Sequence, residues 1–283
     1  MPIKSEILLT TRISDLDALR HVNNRIYAQF CAEGRYQLLK EHGYPLESLL
    51  AQGIYPRPTV AFVRFSLQQM AGTTLTVKTD AFPLENGIIL WDHQILQPDG
   101  AAACQVQVRS VTVDRRGNPV DLLPHSNEAP EKVLIEEVPA FSGSCQRVTS
   151  PYSAIYTDMD AFGQLPFSAH WRMFEEGRHM FGQQLGLTLA RLMQLDTHIF
   201  WVSGTYQVYK PVQAGQMVKI STWLERVVRI RAYFRQEIRS AEGDELLGAS
   251  REEHLVVSLS KARARTLPPE MLAVLQDYIE YSE

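Results

Sequence analysis

The sequence predicts an α+β protein of two tandem domains, each an antiparallel sheet wrapped around one long helix, paired within the chain as a pseudo-dimer. Three observations carry this expectation: an internal repeat, a helical period after each repeated phrase, and β-rich runs separated by turn residues after each helix. The first copy reads Ser14-Asp15-Leu16-Asp17-Ala18 and ends in Glu33-Gly34-Arg35. The second, 143 residues on, reads Thr157-Asp158-Met159-Asp160-Ala161 and ends in Glu176-Gly177-Arg178. The offset holds from Ala71-Gly72 against Ala214-Gly215 through Trp91 against Phe234 and Ile95 against Ile238. It slips by one residue by Leu123-Pro124 against Leu267-Pro268. A match held over this length means two copies of one domain, and two are too few for a solenoid.

Each copy reads the same way. Ile3 to Ile13 is a mixed apolar and polar run that suits a strand. From Asn24 to Glu41, Ile26, Tyr27, Phe30, Cys31 and Leu38 recur at helical spacing. Asn23 or Asn24 can cap that helix, and Gly43 suits its end. In the second copy Ser168 is the candidate cap, Trp171 and Phe174 share one face, and Gly186 lies near the end. Strands are then expected around Val60–Phe62, Leu75–Val77, Ile88–Trp91 and Val106–Val113, divided by Ala71-Gly72, Asn86-Gly87 and Pro98-Asp99-Gly100. Gly34 and Gly177 fall in mid-helix, where glycine costs about 1 kcal/mol relative to alanine, so close approach of helix to sheet is the expected reason. Domain 1 is placed at 1–125, a linker at 126–147 with a short strand at Lys132 to Ile135, and domain 2 at 148–283. An amphipathic helix closes the chain, with Leu272, Leu275, Tyr278 and Ile279 on one face.

At 283 residues the chain is long enough for two cores, and 45% hydrophobic with 21% charged residues is ordinary for a globular protein. A net charge of -4 argues against a nucleic-acid partner. No apolar run approaches the roughly 20 residues that span a bilayer, and the N-terminus lacks the apolar core of a signal peptide. A cytoplasmic address without membrane insertion is therefore the default expectation. Cys31, Cys104 and Cys145 have neither disulfide-framework nor metal spacing, so neither a disulfide framework nor a zinc site is indicated.

The run Asp17-Ala18-Leu19-Arg20-His21-Val22-Asn23-Asn24, with Tyr27 and Glu33-Gly34-Arg35 behind it, resembles the hotdog-fold thioesterases. The similarity is to the branch of 4-hydroxybenzoyl-CoA thioesterase and its acyl-CoA and acyl-ACP relatives, with their Asp-x-x-x-His-Val-Asn-Asn signature. Found twice, it implies a tandem hotdog enzyme that hydrolyses an acyl thioester without a cofactor. Its substrate would ride on CoA or acyl carrier protein, and a homodimer of chains is a further expectation. By this resemblance Asp17 is the base or nucleophile, His21 and Asn23 orient water or donate to the carbonyl, and Asn24 caps the helix. The chemistry is physically apt: a helix N-terminus offers unpaired N–H groups and a positive dipole end to a carbonyl becoming an oxyanion.

Asp15 is read as loop-structuring, Glu33 and Arg35 as salt-bridge formers, and Cys31 as packing. Phe62, Phe65, Trp91, Trp201 and Tyr206 suit either an acyl tunnel or ordinary cores. Arg229, Arg231, Arg235 and Arg239 fall on one strand face, for phosphates or for solvent. Two departures stand out. Arg20 occupies the place where relatives commonly have Gly, and Leu19 stands where plant-type acyl-ACP thioesterases have Asn. In the second copy Asp160 and Gly163 remain, but His-Val-Asn-Asn has become Gln164-Leu165-Pro166-Phe167. One competent site, centred on Asp17, is expected, with Asp160 the secondary candidate. A hotdog hydratase acting on acyl thioesters and a non-catalytic acyl-CoA binder are the alternative readings.

Overall fold

A computed structural model describes residues 2–281. The chain divides into unit 1, residues 1–136 and 158–171, and unit 2, residues 137–157 and 172–283. The second copy's Asp loop thus belongs by its contacts to unit 1.

In unit 1, strands β1 (Ile3–Thr10), β2 (Tyr55–Phe65), β3 (Thr74–Pro83), β4 (Ile88–Leu96) and β5 (Ala102–Val113) form an antiparallel sheet in the order β1-β3-β4-β5-β2. Helix α1 (Asn24–Glu41) packs across it, burying Ile26, Tyr27, Phe30, Cys31, Leu38 and Leu39. Those positions recur every three or four residues, so one stripe of the helix leaves water. The β3–β4 hairpin turns on Asn86 and Gly87, both left-handed at φ 61° and 70°. A short helix, α2 (Leu46–Gln52), follows α1; the sequence reading did not include it.

Unit 2 repeats the plan. Strands β6 (Val148–Ser153), β7 (His198–Val208), β8 (Met217–Val228), β9 (Arg231–Ser240) and β10 (Leu246–Ser258) follow the order β6-β8-β9-β10-β7, the equivalent of unit 1, with β11 (Arg263–Ala264) added on β10. Helix α3 (Phe167–Gln184) is the counterpart of α1, and the short α4 (Leu189–Gln194) follows it. The last helix, α5 (Pro269–Leu275), seals one core: Met271 and Leu275 pack with Phe181, Leu224, Phe234 and Val256. No helix among the described residues is long and apolar enough to cross a membrane.

Four local expectations are corrected. The closing helix ends at Leu275, because the chain passes through a 3-10 turn and Ile279 leaves to bridge Leu224. Leu272 is exposed rather than on the buried face. Ser168 is no cap, since α3 begins one residue earlier at Phe167. Lys132 to Ile135 is not a strand: it is held by the Gln107 side chain, which donates to the Lys132 carbonyl and accepts from Leu134 N–H, both at 2.8 Å.

The two mid-helix glycines sit where helix meets sheet. A Cβ on Gly34 would lie 2.4 Å from Thr79 Oγ1; one on Gly177 would lie 2.5 Å from Gln236 Nε2 and 2.6 Å from Ile220 Cγ2. These neighbours are buried in the cores and have nowhere to go. Alanine at either site gains about 1 kcal/mol of helix propensity but meets an overpacking cost of roughly 1–3 kcal/mol. Gly177→Ala, facing two close atoms, is expected to lower the urea midpoint at unchanged m-value; a rise would show that the close approach is not limiting.

Candidate active site

Both Asp loops are built by the same backbone device. A 3-10 turn, Ile13–Asp15 in the first and Tyr156–Asp158 in the second, leads into a tight turn closed by the following aspartate. In the first, Asp17 N–H donates to the His21 carbonyl at 2.8 Å and Arg20 N–H to the Asp17 carbonyl at 3.0 Å. In the second, Asp160 N–H donates to the Gln164 carbonyl at 2.8 Å and Gly163 N–H to the Asp160 carbonyl at 3.0 Å. Each carboxylate spends one oxygen on the turn. Asp17 Oδ1 accepts from Leu19 N–H (2.8 Å) and His21 N–H (3.2 Å), and Asp160 Oδ1 accepts from Phe162 N–H and Gln164 N–H, both at 2.9 Å.

Arg20 at the apex has φ 68° and its counterpart Gly163 has φ 69°. Arginine in place of the usual glycine therefore leaves the turn unaltered and bears the strain itself. Left-handed backbone costs a non-glycine residue about 1–2 kcal/mol, offset in part by the roughly 0.5–1 kcal/mol of extra chain entropy a glycine loses on folding. Arg20→Gly is expected to stabilise the protein slightly, read as a higher thermal midpoint. A lower midpoint would mean that the arginine side chain, not the turn, governs stability there.

Downstream the copies diverge. Asn23 caps α1, its Oδ1 accepting from Arg25 N–H at 3.0 Å, so the cap falls to Asn23 and Asn24 is the first helical residue. With Arg25 N–H taken by the cap and Ile26 N–H bonded to the Asn23 carbonyl, the Asn24 N–H donates to nothing among the described residues. Neither the Asn24 amide side chain nor the His21 ring makes a hydrogen bond among them, and Asp17 Oδ2 is likewise unengaged. His21, Asp17, Asn23 and Asn24 are all half-buried. The Asn23 backbone is pinned to the loop through its N–H on the Asp15 carbonyl (2.8 Å), and Asp15 Oδ2 accepts from Arg12 N–H at 2.7 Å. Of the unpaired N–H groups expected at this helix start, the free one is that of Asn24, because an Asn-Asn pair whose first member caps leaves the second one's N–H exposed.

In the second loop Pro166 stands at the cap position with no side-chain acceptor, and Phe167 replaces Asn24 and is buried. Phe162 packs against Tyr36 (ring centroids 6.1 Å apart, stacked) and edge-on against Tyr55 (5.2 Å). Burial pushes the Asp160 carboxyl up from its ordinary value, against the pull of its two N–H donors.

The other candidates resolve into structure. Burial pushes the Cys31 thiol up to about 12, which leaves no thiolate for catalysis. Glu33 is exposed on α1. Arg35 is buried against His93 Nε2 at 3.4 Å rather than in a salt bridge, and Thr79 Oγ1 lies 3.0 Å from His93 Nδ1. Its counterpart Arg178 does reach a carboxylate, Glu252 Oε2, at 2.5 Å, and also donates to Gln236 Oε1 at 3.0 Å. Trp91 and Tyr206 are sealed core residues. Of the β9 arginines, Arg231 is exposed and pairs with Glu253, Arg235 lies buried beside Glu225, and Arg239 donates to Glu237 at 2.9 Å, while Arg229 falls outside the strand, exposed in the β8–β9 turn at φ 52°. Residues 137–147 cross that face, with the Phe141 ring 4.9 Å from Trp223 and the Arg147 guanidinium 4.3 Å over Phe141.

Two repeats, each an Asp loop, one long helix and a five-stranded antiparallel sheet, define a double hotdog protein. The chain matches the thioesterase-like superfamily over residues 11–138 and 156–275 and belongs to it; it is a thioester hydrolase. Among solved structures it is similar to the putative oleoyl thioesterase of Lactobacillus plantarum, at 12% identity over 94% of this chain and 97% of that one, with a TM-score of 0.71. It is also similar to the 12:0-ACP thioesterase of Umbellularia californica, at 11% identity over 90% and 95% with a TM-score of 0.69. An acyl-ACP thioesterase of Bacteroides thetaiotaomicron aligns at 12% identity over 89% and 97%, with a TM-score of 0.63. Such identities establish the shared fold.

Proposed function

We propose that the chain hydrolyses an acyl thioester of CoA or acyl carrier protein at one site, built by the first loop and the start of α1. The observation that carries this is the contrast between the loops: equal backbones and equal carboxylates, but only Asp17 is followed by an imidazole, an amide cap and an amide at the first helical position. The thioester carbonyl oxygen sits on the free Asn24 N–H, at the positive end of an 18-residue helix. Asp17 Oδ2 takes a proton from water as the hydroxide adds to the carbonyl carbon. Collapse of the tetrahedral intermediate expels the thiolate, which recovers that proton. Direct attack by the carboxylate, through a mixed anhydride that water then opens, uses the same atoms. His21 and the Asn24 amide orient the water, Asn23 holds the helix start, and Asp160 serves its turn.

Free-thiol release from a panel of acyl-CoA and acyl-carrier-protein thioesters tests this reading. Hydrolysis of at least one, with no hydration of crotonyl-CoA, is the expected outcome. Hydration without thiol release would move the protein to the hydratases, and tight acyl-CoA binding with neither product would make it a binder.

A further inference from the structure

The two Asp loops share a backbone but not a charge. Arg12, Arg20 and Arg25 stand where the second copy, 143 residues on, has Ile155, Gly163 and Ser168. Arg12 and Arg20 are exposed, Arg25 is half-buried in the first turn of α1, and none forms an ion pair among the described residues. Of the nearby carboxylates, Asp15 accepts from the Arg12 N–H through Oδ2 and Asp17 from the turn through Oδ1, and neither pairs with a guanidinium among the described residues. Three cations without counterions among the described residues thus fall within fourteen residues of one loop and helix start, in a chain whose net charge is -4. Arg20 is the most telling. It holds φ 68° where Gly163 adopts φ 69° without strain, so the turn alone gives no reason for a side chain there. What the arginine adds is a guanidinium at the lip of the loop that carries Asp17.

We propose that Arg20, with Arg12 and Arg25 on the same loop and helix start, binds the carrier arm's 4′-phosphate, the group that CoA (within its diphosphate) and acyl-carrier-protein thioesters (within a phosphodiester) share. This rests on the proposed site at Asp17 and adds to it the group that recognises the carrier rather than the acyl chain. Guanidinium matches phosphate oxygens bidentately, and at an exposed site the attraction weakens as salt rises. The second loop, with no cation at these places, has no such function.

The test compares wild type with Arg20→Gly, which suits the turn, on one acyl group carried by CoA, by acyl carrier protein and by phosphate-free N-acetylcysteamine. The expected result is a roughly five- to tenfold fall in kcat/KM on CoA relative to N-acetylcysteamine at low ionic strength, carried by KM and erased by high salt. A matching fall on carrier protein assigns the contact to the shared 4′-phosphate. A fall on CoA without one on carrier protein would place the contact on phosphates that only CoA has and overturn the shared-phosphate assignment. Equal losses on all three, no loss on any, or a loss on carrier protein alone would overturn the proposal. Calorimetric binding of free CoA needs no turnover. Weaker binding by Arg20→Gly supports the arginine's role even if wild type hydrolyses none of the three, a result that would fail the hydrolase site itself; unchanged binding would sink the role.

Discussion

Replacing Asp17 by asparagine is expected to cut kcat/KM for thioester hydrolysis by about 10²- to 10⁴-fold, the usual worth of a positioned acid–base group. The substitution is a clean one. Asparagine keeps an oxygen for the Leu19 and His21 N–H groups that Asp17 Oδ1 now holds, so the turn survives, while the unengaged Oδ2 loses its charge and basicity. An unchanged urea midpoint would certify that the loss is chemical. The matching change in the second copy, Asp160→Asn, is expected to cost far less, because Gln164, Pro166 and Phe167 offer no imidazole, cap or helix-start amide to work with it. Comparable losses at both positions would mean two working sites. Unaltered turnover in Asp17→Asn would remove that carboxylate from the mechanism.

The second large effect concerns stability and also sets the copies apart. Arg178→Met is expected to destabilise the protein by roughly 3–5 kcal/mol, because it leaves Glu252 buried without its cation. Burial already pushes the Glu252 carboxyl up from its ordinary value against the pull of Arg178. In the variant it rises further, so the folded state binds a proton that the unfolded chain does not, and the deficit shrinks as pH falls. Arg35→Met, at the matching position of the first copy, is expected to be near neutral. Trp91 pairs across the sheet with Val108, as its counterpart Phe234 pairs with Glu252. The place of the carboxylate is therefore taken by a valine, and no charge is stranded when Arg35 goes. Urea melts of the two variants at pH 5 and pH 8 check both halves. A large loss in Arg35→Met, or a pH-independent loss in Arg178→Met, would contradict the assignment.

How far the chain could be read from sequence depends on where each element's partners lie. Helix α1 runs Asn24–Glu41 as its apolar spacing implied, and the expected strands fall inside β2 to β5, because periodicity reports one buried face directly. The short helices α2 and α4 escaped notice. With seven and six residues they hardly complete a period, and Pro45 before α2 offers no side-chain cap. The stretch after Lys132 reads as a strand from its residues, yet it pairs with one glutamine side chain and no neighbouring strand.

The candidate site was legible as a local cluster for the same reason. Asp17, His21, Asn23 and Asn24 lie within eight consecutive residues, so sequence order alone brings them to one loop. The caps were less clear: only coordinates separate Asn23 from Asn24, because a one-residue shift in where a helix begins decides which side chain meets a free N–H. Arg178 and Glu252 are 74 residues apart, and the one-residue slip in the repeat ahead of β10 hides that Glu252 answers to Val108. Nothing in the alternation of the β9 arginines announces that residues 137–147 lie over part of that face.

The most direct measurement is a crystal structure with a non-hydrolysable acyl-CoA analogue in which a methylene replaces the thioester sulfur. The account predicts its carbonyl oxygen at about 2.7–3.1 Å from Asn24 N, with Asp17 Oδ2 within reach of the carbonyl carbon or of one intervening water. A carbonyl seated instead against the Asp160 loop, or far from either carboxylate, would contradict it.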